Sequence, residues 1–253
     1  MPLPTINQLG VYYKYASQMP VYNKSTAGFI QSIEDKYNDF IDKKLELHVS
    51  PFYNHKHFYF YQIVFDFDGP KAYKEAQSFC RAELIKEKLP MADWFVEFTG
   101  TDVHVVNKVA YGPVTLNQIR DIRDHVKRTL GKYYPTLDVS SSIRHLPIRR
   151  SLSLDSKHKL LVLPARVTMF MAYSHEHIVT ALSAIEITRA RFNNILVNYV
   201  LPTKIQSIQD APFGISKALK GKPTILEPEK KKITKFKKKE IEVPKHEPET
   251  PNQ

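Results

Sequence analysis

The chain has 253 residues, of which 42% are hydrophobic, and a formal net charge of +11. This length is enough for one large domain or two small ones with a buried core. The apolar runs are far shorter than the roughly 20 residues of a membrane span, and the first residues lack the basic and apolar blocks of a signal peptide. We therefore expect an intracellular protein that makes no membrane contact.

The distribution of charge favours a polyanionic partner. Residues 217–253 contain eleven lysines and six glutamates, a balance of +5 out of the net +11, so both parts of the chain are basic. A basic balance of this kind is typical of proteins that bind nucleic acid, and it is also compatible with a role in solubility or with contact to a membrane surface. The single cysteine, Cys80, excludes an internal disulfide and a cysteine-based zinc cluster.

Residues 1–50 are predicted to form an N-terminal arm and a helix that packs on the core. The first 23 residues are rich in Tyr and Pro without clear periodicity, which indicates an arm or loop. From residue 26 to residue 45 the apolar residues recur at helical spacing. The segment after this helix contains His55 and His57.

Two histidines one residue apart also suggest a metal site. Rolling-circle replication initiators bind their ion with two histidines around a hydrophobic residue. Here the middle residue is Lys56, whose charge does not suit a strand interior. We favour a solvent-facing strand edge, and a metal site remains the alternative.

An aromatic and β-branched run follows, from Phe58 to Phe67, and it predicts a buried strand. Asp66 and Asp68 close this run and point to the same face, because side chains alternate along a strand. Two interpretations are open at this point. The carboxylates belong either to a metal site or to a turn, which Gly69 and Pro70 would also favour.

The next elements alternate between helix and strand. Residues 71–88 have helical spacing after a proline at the helix start. A strand over 94–99 breaks at Gly100 and resumes at Val103, so His104 follows a tight turn. Residues 116–130 form another amphipathic helix.

A third aspartate, Asp138, follows a short stretch with apolar residues and precedes a segment rich in Arg and Lys. Strands are expected at 160–163 and 167–173, and a helix over 176–200 that ends before Pro202. This order predicts a core over 51–173 and a helical C-terminal part over 174–216. Residues 217–253, rich in Lys, Glu and Pro, are expected to be disordered.

Three features occur in a fixed order: a hydrophobic strand that ends in Asp66-x-Asp68, a strand-turn-strand that carries His104, and Leu137-Asp138. This order and spacing resemble the catalytic core of the archaeo-eukaryotic primase superfamily, over about residues 58–163. The resemblance implies an α+β fold with a mixed β-sheet and flanking helices.

The resemblance also implies roles for individual residues. Asp66, Asp68 and Asp138 would hold two divalent ions, Mg²⁺ or Mn²⁺, which are hard cations that prefer oxygen ligands. His104 would contact the phosphates of the incoming nucleotide, and Thr99 takes the position of a serine in the family.

Downstream, the segment from Arg144 to Lys157 resembles a basic motif of archaeal primases when Pro147 is counted as an insertion. The match makes Arg149 and Lys157 triphosphate ligands. The chain departs from the family in a turn before His104 that is one residue shorter, and in Asp155 where the family often has histidine. It also has no cysteine cluster for a zinc-bearing insertion.

The expected function is therefore a DNA-dependent primase-polymerase that synthesises short RNA or DNA primers by two-metal nucleotidyl transfer. Its partners would be a single-stranded DNA template, nucleoside triphosphates and either a helicase or a large primase subunit. The alternative is a non-catalytic, primase-like accessory protein that binds nucleic acid or a helicase.

Overall fold

The structure is a computed structural model. It describes residues 7–8, 11–15, 21–23, 37–38, 45–49, 51–55, 58–99, 102–138, 148–155, 160–200 and 202–219.

Most strands in these residues are short, and two are long. In chain order they are β1 (Asn7–Gln8), β2 (Val11–Tyr15), β3 (Val21–Asn23), β4 (Leu45–Val49), β5 (Phe52–His55), β6 (Phe58–Phe67), β7 (Trp94–Thr99), β8 (Asp102–Val114), β9 (Leu137–Asp138), β10 (Ile148–Arg149), β11 (Leu154–Asp155), β12 (Leu160–Leu161), β13 (Pro164–Arg166) and β14 (Lys204–Ser207).

The helices lie between and after the long strands. They are α1 (Ala72–Phe79), α2 (Leu116–Thr129), α3 (Val167–Ala172), α4 (His175–Ser183), α5 (Arg189–Ile195) and α6 (Ile215–Ala218). A π-helical turn extends α1 over Cys80–Leu84, and another extends α5 over Leu196–Val200.

The main sheet has the strand order β1-β5-β6-β8-β7-β13, with β9 paired to β6 and β14 paired to β8. All of these pairs are antiparallel except β14 with β8. A second sheet has the order β10-β4-β2-β3, and β11 pairs with β12. Strand β6 therefore lies inside the main sheet, as its aromatic and β-branched sequence requires.

The two faces of β6 have different neighbours because its side chains alternate. Ile63, Phe65 and Phe67 face the helical layer and belong to the core formed with α1 and α2. The Phe79 ring of α1 lies 4.8 Å from that of Phe65 and 5.6 Å from that of Phe67, measured between centroids. Each such buried ring stabilises the fold by about 1.5–3 kcal/mol.

The opposite face of β6 carries Gln62, Val64 and Asp66. Val64 packs with Phe95, Val106 and Ile148 in a separate apolar cluster that Tyr199 partly covers. Polar side chains thus share this face with a small apolar cluster, and the site described below lies there.

Several sequence predictions are confirmed. The fold class is α+β, β6 is a buried strand, and helices occupy most of 71–88 and 116–130. Helix α2 begins with a capping box, in which the Thr115 side chain accepts from Gln118 N and the Gln118 side chain accepts from Thr115 N. Gly69 has a φ of 87°, so a turn does follow Asp68.

The N-terminal prediction was partly wrong. The first 23 residues include strands β1, β2 and β3, and β4 begins at Leu45. The reason is tertiary pairing, since β2 pairs with both β3 and β4, and β4 with β10. Of the helix predicted over 26–45, the described residues 37 and 38 are helical, and most of the remaining prediction lies outside the described residues.

The C-terminal predictions also need correction. Residues 167–172 form helix α3 and not a strand, since Val167 and Phe170 are buried at helical spacing. The helix expected over 176–200 is interrupted between α4 and α5, where Thr188 Oγ1 accepts from Arg191 N to begin α5.

The C-terminal part is not wholly helical. Strand β14 joins the main sheet, and Phe213 belongs to its core. Lys217 and Ala218, the first two residues of the predicted tail, lie in α6, and residues 220–253 lie outside the described residues.

Candidate metal centre

A row of paired polar residues crosses four strands of the main sheet. Asp66 of β6 pairs with Asp138 of β9 on one side and with His104 of β8 on the other. His104 in turn pairs with Glu97 of β7. Directly paired residues present their side chains on the same face, so three carboxylates and one imidazole lie side by side.

The three predicted carboxylates converge at one end of this row. Asp66, Asp68 and Asp138 each offer one oxygen, and these oxygens all lie within 4.8 Å of one another. Asp66 and Asp138 are half-buried, whereas Asp68 is exposed. The structure therefore brings together the three residues that the sequence predicted as metal ligands.

Backbone and side-chain hydrogen bonds fix this arrangement. Asp68 N donates to Thr136 O at 2.8 Å, which joins the end of β6 to the turn before Asp138. Glu75 of α1 accepts from Thr136 N at 2.9 Å and from its hydroxyl at 2.8 Å. Gly69 N donates to Asp102 Oδ1 at 2.9 Å.

The charges of this cluster oppose one another. Although Asp68 is exposed as a whole residue, desolvation of its carboxyl group, followed by the charges of Asp66, Asp102 and Asp138, raises its pKa to about 7, and His104 acts in the opposite direction. Closely spaced carboxylates are unfavourable without a compensating cation. The cluster has the electrostatic character of a cation site.

One buried oxygen of the cluster already faces a cation of the chain. Asp66 Oδ1 lies 3.2 Å from His104 Nε2, although no hydrogen bond of normal geometry reaches it. Oxygen ligands are those that Mg²⁺ and Mn²⁺ prefer, so the donor set fits these ions.

His104 bridges two acidic residues. Its Nε2 lies 3.2 Å from Asp66 Oδ1, its Nδ1 lies 3.4 Å from Glu97 Oε2, and its side chain is 5% exposed. Burial alone would lower the pKa of His104, but Asp66 and Glu97 outweigh it and raise the pKa to about 10. The ring is therefore a buried cation that orients Asp66. Direct contact with a nucleotide, as the resemblance implies, would require it to leave these partners.

Glu97 is a functional candidate that the sequence reasoning missed. Arg150 Nε donates to its Oε2 at 3.0 Å, while Ser151 donates to its Oε1 from the backbone at 2.8 Å and from the hydroxyl at 2.6 Å. All three residues are fully buried. Burial tends to raise the pKa of Glu97, but Arg150, His104 and Ser151 bring it below the usual 4.5.

The sequence did contain a signal for this residue. Glu97 is the one charged residue in strand β7, whose other residues are Trp, Phe, Val and Thr. A carboxylate in a buried strand requires a partner, and Arg150 is that partner. The hydrogen-bond network of this buried pair extends to Gln62, whose Oε1 accepts from Arg150 Nη1 at 3.1 Å.

For the other predicted nucleotide contacts, which are Thr99, Arg149 and Lys157, the structure describes no side chain. The Thr99 backbone pairs with Asp102 at the end of β7, and Arg149 pairs with His48 of β4 in the second sheet. The side chains of Thr99 and Arg149 lie outside the described part of the structure, and so does the whole of Lys157. Their roles stay predictions.

The two histidines of the rolling-circle alternative do not join this centre. His55 pairs with Phe58, at the opposite end of β6 from Asp66. The strand rise of roughly 3.3 Å per residue places these ends about 26 Å apart. His57 lies outside the described residues.

The comparisons with known proteins give one structural likeness. No family model matches the sequence, and no curated protein matches it. The chain is similar to the catalytic domain of the primase Repb' in complex with initiator DNA, at 12% identity and a TM-score of 0.41, over 72% of this chain and 92% of that one. A likeness of this size carries no argument about function, which must come from the site.

Among the described residues, no helix is both long and apolar enough to span a membrane.

Proposed function

We propose that the protein is a metal-dependent nucleotidyltransferase, specifically a DNA-dependent primase-polymerase that synthesises short RNA or DNA strands on single-stranded DNA. The observation that carries the proposal is the convergence of Asp66, Asp68 and Asp138 within 4.8 Å at the end of a buried strand. The order of these carboxylates around His104 is also the order of the primase motifs.

Asp66, Asp68 and Asp138 are the residues that would hold two Mg²⁺ or Mn²⁺ ions. When bound, such ions activate an attacking 3′-hydroxyl and stabilise the leaving pyrophosphate. The chain itself supplies the orientation of the ligands. His104 and Glu97 position Asp66, and Thr136 positions Asp68 through its backbone carbonyl.

The nucleotide would be bound through its triphosphate. Thr99, Arg149 and Lys157 are proposed contacts, because arginine and lysine neutralise phosphate charge and arginine does so with paired hydrogen bonds. The proposed template is single-stranded DNA, which the basic net charge favours. A helicase or a large primase subunit is a further proposed partner, in an intracellular setting.

The test is incorporation of labelled nucleotides on a single-stranded template with Mn²⁺, with ribo- and deoxynucleotides compared. Asp66→Asn and Asp138→Asn should each abolish incorporation while binding of the template persists. Asp124→Asn is the matched control, since Asp124 is exposed on α2 and pairs with Arg123. Unchanged incorporation by either site variant would contradict the proposal.

A non-catalytic accessory protein is the second candidate. The observation that favours it is the burial of His104 between two carboxylates, which removes one phosphate contact that the resemblance implies. This candidate predicts that the wild-type protein binds single-stranded DNA and incorporates neither type of nucleotide. It also predicts no difference between the wild-type and Asp138→Asn proteins in any binding assay.

A further inference from the structure

A groove lies on the edge of the main sheet beside β13. Two adjoining cavities of about 740 and 360 Å³ share Arg166, Thr168 and Tyr199 in their walls. We treat them as one groove and call it the β13 groove. Volumes of this size are typical of ligand sites.

The charge of the β13 groove has one sign. Arg166 and Lys108 line it, and among the described lining residues none is acidic. Arg166 is exposed, and no described carboxylate forms an ion pair with it. The nearby Asp93 pairs with Lys204 at 2.5 Å. Burial is the main cause that lowers the pKa of Lys108; Asp93 opposes it, and Lys204 and Arg166 lower the pKa further.

Aromatic rings accompany these cations. Lys108 Nζ lies 4.5 Å from the centroid of the Tyr199 ring. At the other end of the groove, Tyr173 stacks on His177 with centroids 4.7 Å apart and planes at 10°, and Tyr173 is 47% exposed. A groove that carries both cations and an exposed ring has the elements on which single-stranded nucleic acids rest their phosphates and stack their bases.

One part of the β13 groove shares a face of the sheet with the metal centre. Its Tyr173 end lies against the helical layer, since the Tyr173 carbonyl accepts from the Tyr73 hydroxyl and from Gln77 Nε2 of α1. Pro164, in the groove wall, pairs with Glu97 of the polar row. Three strand spacings of roughly 4.8 Å separate Pro164 from Asp66, or about 14 Å. Ser151 and Arg150 cover Glu97 between the two sites, so a strand that occupied both would pass over this segment.

We propose that the β13 groove binds single-stranded nucleic acid, with its phosphates on Arg166 and Lys108 and a base stacked on Tyr173. The inference rests on the proposed function in one respect: the bound strand would be the template that the carboxylate centre copies. Binding itself requires neither metal nor nucleotide, so it is measured separately.

The experiment is fluorescence anisotropy with a labelled oligothymidylate longer than the about 4–16 nucleotides that such sites occupy, in buffer with EDTA. Arg166→Glu should raise Kd about tenfold or more and reduce the slope of log K against log salt by about 1. Tyr173→Ala should raise Kd about fivefold or more, since stacking contributes about 1–3 kcal/mol per base.

Matched variants separate the groove from general effects. Arg166→Lys keeps the charge and Tyr173→Phe keeps the ring, so both should bind nearly as the wild type does. Arg120→Glu reverses an exposed charge on α2, in the helical layer on the other face, and should change Kd less than Arg166→Glu. Circular dichroism should show that every variant is folded.

The outcomes distinguish the two proposals. If both Arg166→Glu and Tyr173→Ala bind the oligonucleotide with wild-type affinity, the proposal that the β13 groove binds nucleic acid is wrong, whatever the polymerase assay shows. Weakened binding in these variants supports the groove even where the wild-type protein incorporates no nucleotide, a result that overturns the proposed function alone. An equal loss of affinity in Arg120→Glu and Arg166→Glu would mean that binding is a diffuse electrostatic attraction, and this result would also contradict the proposal for the β13 groove.

Discussion

Asp66 and Asp138 face each other as register partners on the adjacent antiparallel strands β6 and β9. Strand β9 is only two residues long, so its pairing alone is a weak constraint. The turn before it is held by Glu75, which accepts two hydrogen bonds from Thr136. Helix α1 therefore positions a ligand that lies far from it in sequence.

The first prediction concerns this turn. Glu75→Ala should lower the free energy of unfolding by about 1–3 kcal/mol, because the Thr136 backbone and hydroxyl donors lose their acceptor. It should also weaken Mn²⁺ binding, measured by calorimetry, because Asp138 is less well placed. Glu75→Gln retains an acceptor oxygen and serves as the control. Equal Mn²⁺ affinity in Glu75→Ala and the wild type would show that the turn is held by other contacts.

The second prediction concerns repulsion among the carboxylates. Asp68→Asn should raise the melting temperature in EDTA. The substitution removes a carboxyl group whose ionisation is opposed by desolvation and by its acidic neighbours. A gain of 1 kcal/mol corresponds to about 2–4 °C for a domain of 150–250 residues. The increase in melting temperature that Mn²⁺ gives the wild type should be lost. A variant less stable than the wild type in EDTA contradicts this account of the cluster.

The third prediction separates two roles of His104. If the ring orients Asp66, His104→Gln should weaken Mn²⁺ binding about 10–100-fold, the usual effect of losing a partner of a metal ligand, and leave the KM for nucleotide unchanged. If the ring contacts phosphate, KM should rise while Mn²⁺ affinity stays the same. The structure favours the first result, because both ring nitrogens face carboxylates. Calorimetry and steady-state kinetics on the same variant decide between them.

The fourth prediction is a pH dependence of stability that comes from Glu97. Because its pKa is lower in the folded protein than the usual 4.5, its charge stabilises the fold above about pH 4.5, and this contribution is lost as the pH falls through the folded pKa. Glu97→Gln should therefore be less stable than the wild type at pH 7, by about 3–5 kcal/mol. The difference should shrink in urea unfolding below pH 4. A constant difference from pH 7 to pH 3 would mean that shape, not charge, matters at this position.

The fifth prediction tests the pair that Glu97 forms with Arg150. Arg150→Met leaves a buried carboxylate without its main partner and should destabilise the protein by about 3–5 kcal/mol. The double variant Glu97→Gln with Arg150→Met should lose less than the sum of the two single variants, with a coupling energy of about 0.5–3 kcal/mol. Strict additivity in urea unfolding would indicate that the two side chains do not interact.

Local patterns were sufficient for the regular elements and for part of the site. The alternation in β6 placed Asp66 at the end of a buried strand, and the helical period of 116–130 predicted α2. The same reasoning failed at 167–173, because a short apolar run fits a strand or a helix equally well. It also failed at β14, whose position depends on pairing with the distant β8.

Two features of the candidate site lay beyond the reach of local patterns. Nothing in the residues around Asp138 shows that a two-residue strand will align it with Asp66, and nothing around Glu97 shows that Arg150 will meet it in the core. Both contacts join segments that are far apart in the chain, and they form only when the whole sheet assembles.

The sequence alone determined the strand that ends in Asp66 and Asp68, the main helices and the basic charge of the chain, since these depend on residue type and local spacing. Tertiary structure alone decided that three carboxylates meet within 4.8 Å and that His104 is buried between Asp66 and Glu97. It also decided that Pro164 and Arg166 of the β13 groove lie on the same face as Glu97. The physical reason is that strand register is set by hydrogen bonds between distant segments, which local spacing does not specify.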